Sequence, residues 1–110
     1  MEIYFNNDKQ NTFKLQKQSY ESQFMIRDSQ LMIEVCFLIE GLSARDFYNY
    51  IKKIQTITLQ ETAEEVDNPF PLELDTPYNV KIKTLEYWHI LDQTVYITLI
   101  ILDEPEDIDR

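Results

Sequence analysis

Glycine is nearly absent, with Gly41 the single one in 110 residues. That excludes glycine-rich phosphate loops and removes the Asn-Gly turns on which the tightest hairpins rely. Cysteine and histidine are equally scarce, at one each, Cys36 and His89. One thiol permits no internal disulfide framework and no thiolate zinc site. Any Ser-His-Asp arrangement has a single histidine to draw on. No cofactor motif is present, so none is expected to bind.

Basic residues are outnumbered, 10 Lys and Arg against 20 Asp and Glu, for a net charge of −10. Such a field repels nucleic-acid phosphates and anionic membrane surfaces and favours a basic protein partner. It also keeps a small protein soluble whatever it binds. Long apolar runs are missing too. No stretch nears the roughly 20 residues of a membrane span. The opening Met1–Asp8 lacks the basic-then-apolar order of a signal peptide. The expected setting is cytoplasmic, with no membrane and no direct nucleic-acid ligand.

Alternation is what the chain does have. Val95, Ile97, Leu99 and Ile101 recur at every second residue, as do Leu31, Ile33, Val35, Phe37 and Ile39. That period sends successive side chains to opposite faces of a strand. In the later segment the second row turns apolar at Ile100 and Leu102, so that end is expected to be buried on both faces. Tyr87-Trp-His-Ile-Leu91 reads as a partner strand across a turn at Asp92-Gln93, with Ile90 facing Val95 and Trp88 facing Ile97. Val80 and Ile82 begin that strand, and a bulge near Thr84-Leu85 is expected to correct the row interrupted at Glu86. Shorter strands are expected at Glu2–Phe5, from Phe13, from Ser19 to Arg27 and at Thr56–Gln60. The pattern of Phe24–Glu40 resembles that of Trp88–Glu104, as two hairpins of like turn geometry would produce.

Gly41 to Phe47 carries a helix start. Ser43 is placed to cap the first turn with Asp46 three residues on, and Leu42 and Phe47 stand where a hydrophobic staple forms. The helix is expected to run from about 43 to 54, burying Phe47, Ile51 and Ile54, with Lys52 and Lys53 in its last turn. Residues 61–77 hold an acidic run and then three of the four prolines. This segment reads as a long surface loop, with Leu72 and Leu74 touching the body. Residues 104–110 read as a charged tail.

Few constellations point to chemistry. His89 within a hairpin is the ordinary satisfied sheet residue, and Cys36 in mid-strand the ordinary buried thiol. Glu34 and Glu86 each interrupt an apolar strand, and general acid–base work by them requires burial in a cleft. The acidic groups lack the spacing of a calcium loop. No metal is therefore expected. Tyrosine beside acids suits a protein interface. The candidate partner-binding residues are therefore Glu61, Glu64, Glu65, Asp67, Tyr48, Tyr50, Asp103, Glu104, Glu106 and Asp107.

The sequence thus implies one α+β domain over 1–110, predominantly antiparallel β-sheet with one helix at about 43–54. A sandwich or barrel with the helix at one end is the structural alternative. Function is expected in a non-catalytic acidic module that binds another, basic protein, in the manner of an inhibitor, immunity protein or adaptor. The alternative is a homo-oligomeric assembly subunit, of a phage for example.

Overall fold

Leu31, Ile33, Val35 and Phe37 lie on one side of a nine-residue strand, β4 (Gln30–Leu38), and all four are buried. Beside them run Val95, Ile97, Leu99 and Ile101 of β7 (Thr94–Ile101), paired antiparallel with Phe37, Val35, Ile33 and Leu31. This is the central pair of a computed structural model that describes residues 1–16, 24–27, 30–62, 68, 70–88 and 94–103. The other strands are β1 (Glu2–Phe5), β2 (Phe13–Lys14), β3 (Phe24–Arg27), β5 (Thr56–Gln60) and β6 (Tyr78–Trp88). They form one antiparallel sheet in the order β2-β1-β5-β6-β7-β4-β3. With the single described helix, α1 (Ala44–Ile51), the fold is α+β. The sheet curls until Leu15 meets Phe37 in a lone bridge, and it goes no further towards a closed barrel.

Several expectations need correcting. The β6–β7 register runs Leu85 to Ile97, Tyr87 to Val95 and Trp88 to Thr94, so Trp88 does not face Ile97. The turn proposed at Asp92-Gln93 and the partner Ile90 lie outside the described residues. The register is set by the longer connection from Trp88 to Thr94, while the bulge expected near Thr84-Leu85 is present at Lys83, between Ile82 and Thr84. An extra residue flips every later side chain to the opposite face. Leu85, across from Ile97, therefore continues the row of Val80 and Ile82. Nor is the end of β7 buried on both faces, because Ile100 is half-buried and Leu102 is 56 % exposed. Double burial belongs instead to β4, where Met32 and Cys36 are buried on the second face. The two resembling hairpins also differ in their turns. Arg27 pairs with Gln30 in one and Trp88 with Thr94 in the other.

Helix α1 starts as its residues dictate. The Asp46 N–H donates to Ser43 Oγ at 3.1 Å, with Ser43 in extended backbone. The helix is shorter than expected. It ends at Ile51 with Lys52 as its C-cap, so Lys52 and Lys53 follow the last turn and Ile54 packs on the core from the linker. Phe47 and Ile51 are its buried face. In the proline-rich stretch, Leu72 is buried and Leu74 packs against the core as expected, and Phe70 is buried beside them.

The helix and strand ends meet in a group of aromatic rings. Phe13 lies 4.9 Å from Phe37, 5.7 Å from Phe5 and 5.8 Å from Phe47, with Phe37 and Phe47 5.7 Å apart. Tyr50 borders Phe5 and Phe13, each at 6.4 Å. Such tilted and edge-on pairs add to the apolar burial of each ring.

Two substitutions probe this packing. F37A is expected to cost about 3–5 kcal/mol in denaturant unfolding, because it leaves a cavity among three other phenylalanines. T58V is expected to raise stability by about 1 kcal/mol, since Thr58 is 1 % exposed and its Oγ1 has no hydrogen-bond partner among the described residues. A destabilised T58V would mean that the hydroxyl is satisfied after all.

Candidate partner-binding surface

The end of β5 gathers carboxylates. Glu61 follows the strand and is exposed, and Gln60 Nε2 donates to Glu2 Oε2 at 2.9 Å on the neighbouring β1. On the other flank, Asp75 N–H donates to Leu59 O at 2.7 Å, which lays the proline-rich segment along β5. That contact brings exposed Glu73 and Asp75 to the same end. Asp75 holds its turn at φ +58°, a left-handed conformation that aspartate tolerates. Glu73 N–H is anchored on the Tyr78 hydroxyl at 2.9 Å. Lys14, across from Glu2 in the β1–β2 pair, is the basic residue beside this group.

The other expected site residues are scattered. Tyr48 is 53 % exposed on α1, with Lys52 Nζ 6.0 Å from its ring centroid. Tyr50 is turned to internal use: its hydroxyl donates to Asp8 Oδ2 at 3.0 Å. Asp103 is likewise occupied, accepting from Asn79 N at 2.6 Å and Asn79 Nδ2 at 3.0 Å, where it closes the end of the β6–β7 pair. Glu64, Glu65, Asp67, Glu104, Glu106 and Asp107 lie outside the described residues, as does His89.

Burial raises the Tyr50 pKa to about 12, helped by the bond to Asp8 and its charge. In turn the Asn11 amide, and after it the Tyr50 hydroxyl, hold the Asp8 carboxyl below its ordinary value. Burial pushes the Cys36 thiol up, only partly offset by a hydrogen bond from Tyr96, so the thiolate is disfavoured. Glu34 and Glu86 flank β7 on the outer face, across from Thr98 and Tyr96 respectively. They line one recess of about 280 Å³ with Thr84 and Tyr96, where Glu34 is half-buried and Glu86 exposed. Among the described residues, no three His, Cys, Asp or Glu side chains are grouped to hold a metal ion. No described helix is long and apolar enough to cross a membrane.

Asn6 stands in the polar turn of residues 6–11, and its side chain has a further role. Its Oδ1 accepts from Gln55 N at 2.7 Å and Thr56 N at 3.1 Å, and its Nδ2 donates to Lys53 O. It thereby fastens the first turn to the linker between α1 and β5. The consecutive Asn6 and Asn7, both at positive φ, were the available signal. Against known proteins, the chain matches no family model, no curated protein and no solved structure.

The Tyr50–Asp8 bond has an alkaline signature. A raised folded-state pKa contributes stability that is whole below pH 10 and is lost as pH rises through about 12. Tyrosinate absorbance should therefore show a late step near 12 that Y50F removes and D8N draws partly back toward 10. A D8N titration curve identical to that of the unaltered protein would refute the bond.

Proposed function

We propose that this protein is a non-catalytic acidic module that binds a basic protein and modulates it, as an inhibitor, immunity protein or adaptor does. The observation carrying this reading is the carboxylate group at the end of β5, where Glu2 accepts from Gln60, the backbones of Glu73 and Asp75 are held by hydrogen bonds, and exposed Glu61 follows the strand. Fixed charges of one sign on a rigid sheet steer an oppositely charged partner and raise its association rate. In sequence, Glu61 is followed by the acids Glu64, Glu65 and Asp67. Exposed Tyr48 offers the kind of aromatic that interfaces favour.

One observation favours a second reading, an assembly subunit. Ile26 is 53 % exposed on β3, the terminal strand of the sheet, and such edges pair readily with another chain. Self-association at micromolar concentration, read by sedimentation, would favour this alternative.

The deciding experiment is affinity capture from the source cell's lysate with elution by rising salt. A single basic protein released at moderate salt is expected. Reversing Glu61, Glu64, Glu65 and Asp67 to lysine should then slow its association at least several-fold and flatten the salt dependence. Recovery of the bait alone, or unchanged kinetics in the reversed variant, would overturn the reading.

A further inference from the structure

Strand β6 has two edges and uses only one of them along its length. On one side it pairs with β7 from Val80 to Trp88. On the other it meets β5 at Tyr78 and Asn79 alone, and Val80 N–H ends that contact by donating to Gln55 O at 2.9 Å. Backbone groups of an antiparallel strand face its two neighbours by turns. Val80, across from Ile101, faces the β5 side. The same facing recurs at every second position of β7, at Leu99, Ile97 and Val95, which selects Ile82, Leu85 and Tyr87. Among the described residues, none of these three has a backbone partner on that side. A row of open N–H and C=O groups is a template for another strand. Lysines and bulges usually protect such an edge, but here they stand before the stretch 84–88. The bulge is at Lys83, whose side chain crosses β7 to bring Nζ 3.5 Å from Met32 Sδ on β4. The strand is also an exception to the chain's acidity. Lys81 and Lys83 against Glu86 leave it at +1 in a protein of −10.

We propose that the open edge of β6 pairs antiparallel with the same edge of a second copy of this chain, joining the two sheets across a two-fold axis. Charge selects the occupant. Two copies at −10 repel over most of their surface, and β6 is a place where they can approach. Two registers over 84–88 keep each face of the joined sheet continuous. Centring on Glu86 sets its carboxylate directly opposite that of its copy, which is unfavourable. Centring on Leu85 sets Thr84 opposite Glu86 of the second copy, and the converse, with no like charges opposed. The Leu85 backbone is also among those facing outward, so this axis passes through a hydrogen-bonded pair. The Leu85 side chain, half-buried against the core, gains its own copy as cover. The joint is isologous and closes at two copies. It is short, and belongs with weak, concentration-dependent interfaces. It uses neither β3, the edge on which the assembly reading rests, nor the carboxylates at the end of β5.

Sedimentation equilibrium of the full-length protein over a roughly hundredfold range of concentration should show a monomer–dimer equilibrium and nothing larger. In nitrogen-labelled protein, amides from 83 to 87 should shift as concentration rises, and the Leu85 amide should exchange more slowly. T84E sets a carboxylate opposite Glu86 of the second copy. It should weaken the dimer by about fivefold, because a two-fold interface counts each exposed pair twice. T84K should strengthen it by a similar factor. Q10E adds the same charge as T84E on the β1–β2 connection and should change the dimer much less. Thr84 and Gln10 are exposed, so these variants keep the fold. A monomer at every concentration would overturn the proposal. So would protection of the Leu85 amide that does not vary with concentration, because the chain would then cover its own edge. Equal weakening by T84E and Q10E would overturn the joint centred on Leu85. Concentration-dependent shifts confined to 24–27 would move the contact to β3 and overturn it in favour of the assembly subunit. Capture from lysate is a separate matter. A dimer that captures no basic protein keeps the joint and loses the proposed function, and a monomer that captures one does the reverse.

Discussion

Five aromatic rings from four elements meet at one corner of the sheet, and the remaining architecture is arranged about that meeting. Phe5 comes from β1, Phe13 from β2, Phe37 from β4, and Phe47 and Tyr50 from α1. β2 has only two paired residues, too few to hold a strand in place by backbone bonds alone. Phe13, locked among the other rings, supplies the hold that the backbone lacks. The same packing seats α1, a helix of eight residues that is too short to be stable in isolation. Its rim is polar. Tyr50 reaches out of the cluster to Asp8, and Asn6 ties the adjoining turn to the linker that follows the helix. The corner is thus rigid in its interior and hydrogen-bonded at its edge.

Charge is distributed on a different logic. The apolar rows of β4 and β7 leave little room for carboxylates, so acids collect at strand ends and in connections. Where an acid does sit in mid-strand, as at Glu34 and Glu86, it belongs to the outer face. Some acids are internal fixtures. Asp103 satisfies the Asn79 backbone and amide, and Asp8 anchors Tyr50, so neither is simply surplus surface charge. The exposed remainder around β5 is the part of the charge with no such internal task among the bonds described.

The central strands were legible because one face is wholly buried, and period-two alternation is a direct record of that. The helix start was legible for a similar reason, since capping by Ser43 is a local interaction. Its end was not. No glycine marks the C-terminus, and the change to the linker depends on tertiary bonds such as Asn6 to Lys53. The bulge in β6 was legible to within a residue or two, at Lys83, but the β6–β7 register was not, because the pairing of Trp88 with Thr94 rests on the length of their connection, which the expected turn at Asp92-Gln93 made too short. Of the candidate surface, acidity and exposed tyrosine could be read from composition. The internal use of Tyr50 and Asp103 could not, because their partners lie 42 and 24 residues away. The convergence of Glu73 and Asp75 with Glu61 likewise depends on a non-local backbone bond to Leu59.

The sheet order also has a kinetic side. β3 with β4 and β6 with β7 are neighbours in sequence as well as in space, and each closes only a short loop. β1 must wait for β5, because pairing Phe5 with Ile57 closes a loop of about fifty residues. Relative to a five-residue hairpin loop, that closure costs roughly 2 kcal/mol more in chain entropy. During synthesis the N-terminal strand therefore leaves the ribosome long before its partner exists. Until residue 60 has emerged, its apolar residues have β2, through the Ile3–Phe13 pair, but not β5 to cover them. The seam between β1 and β5 is consequently among the last parts of the molecule to be sewn up.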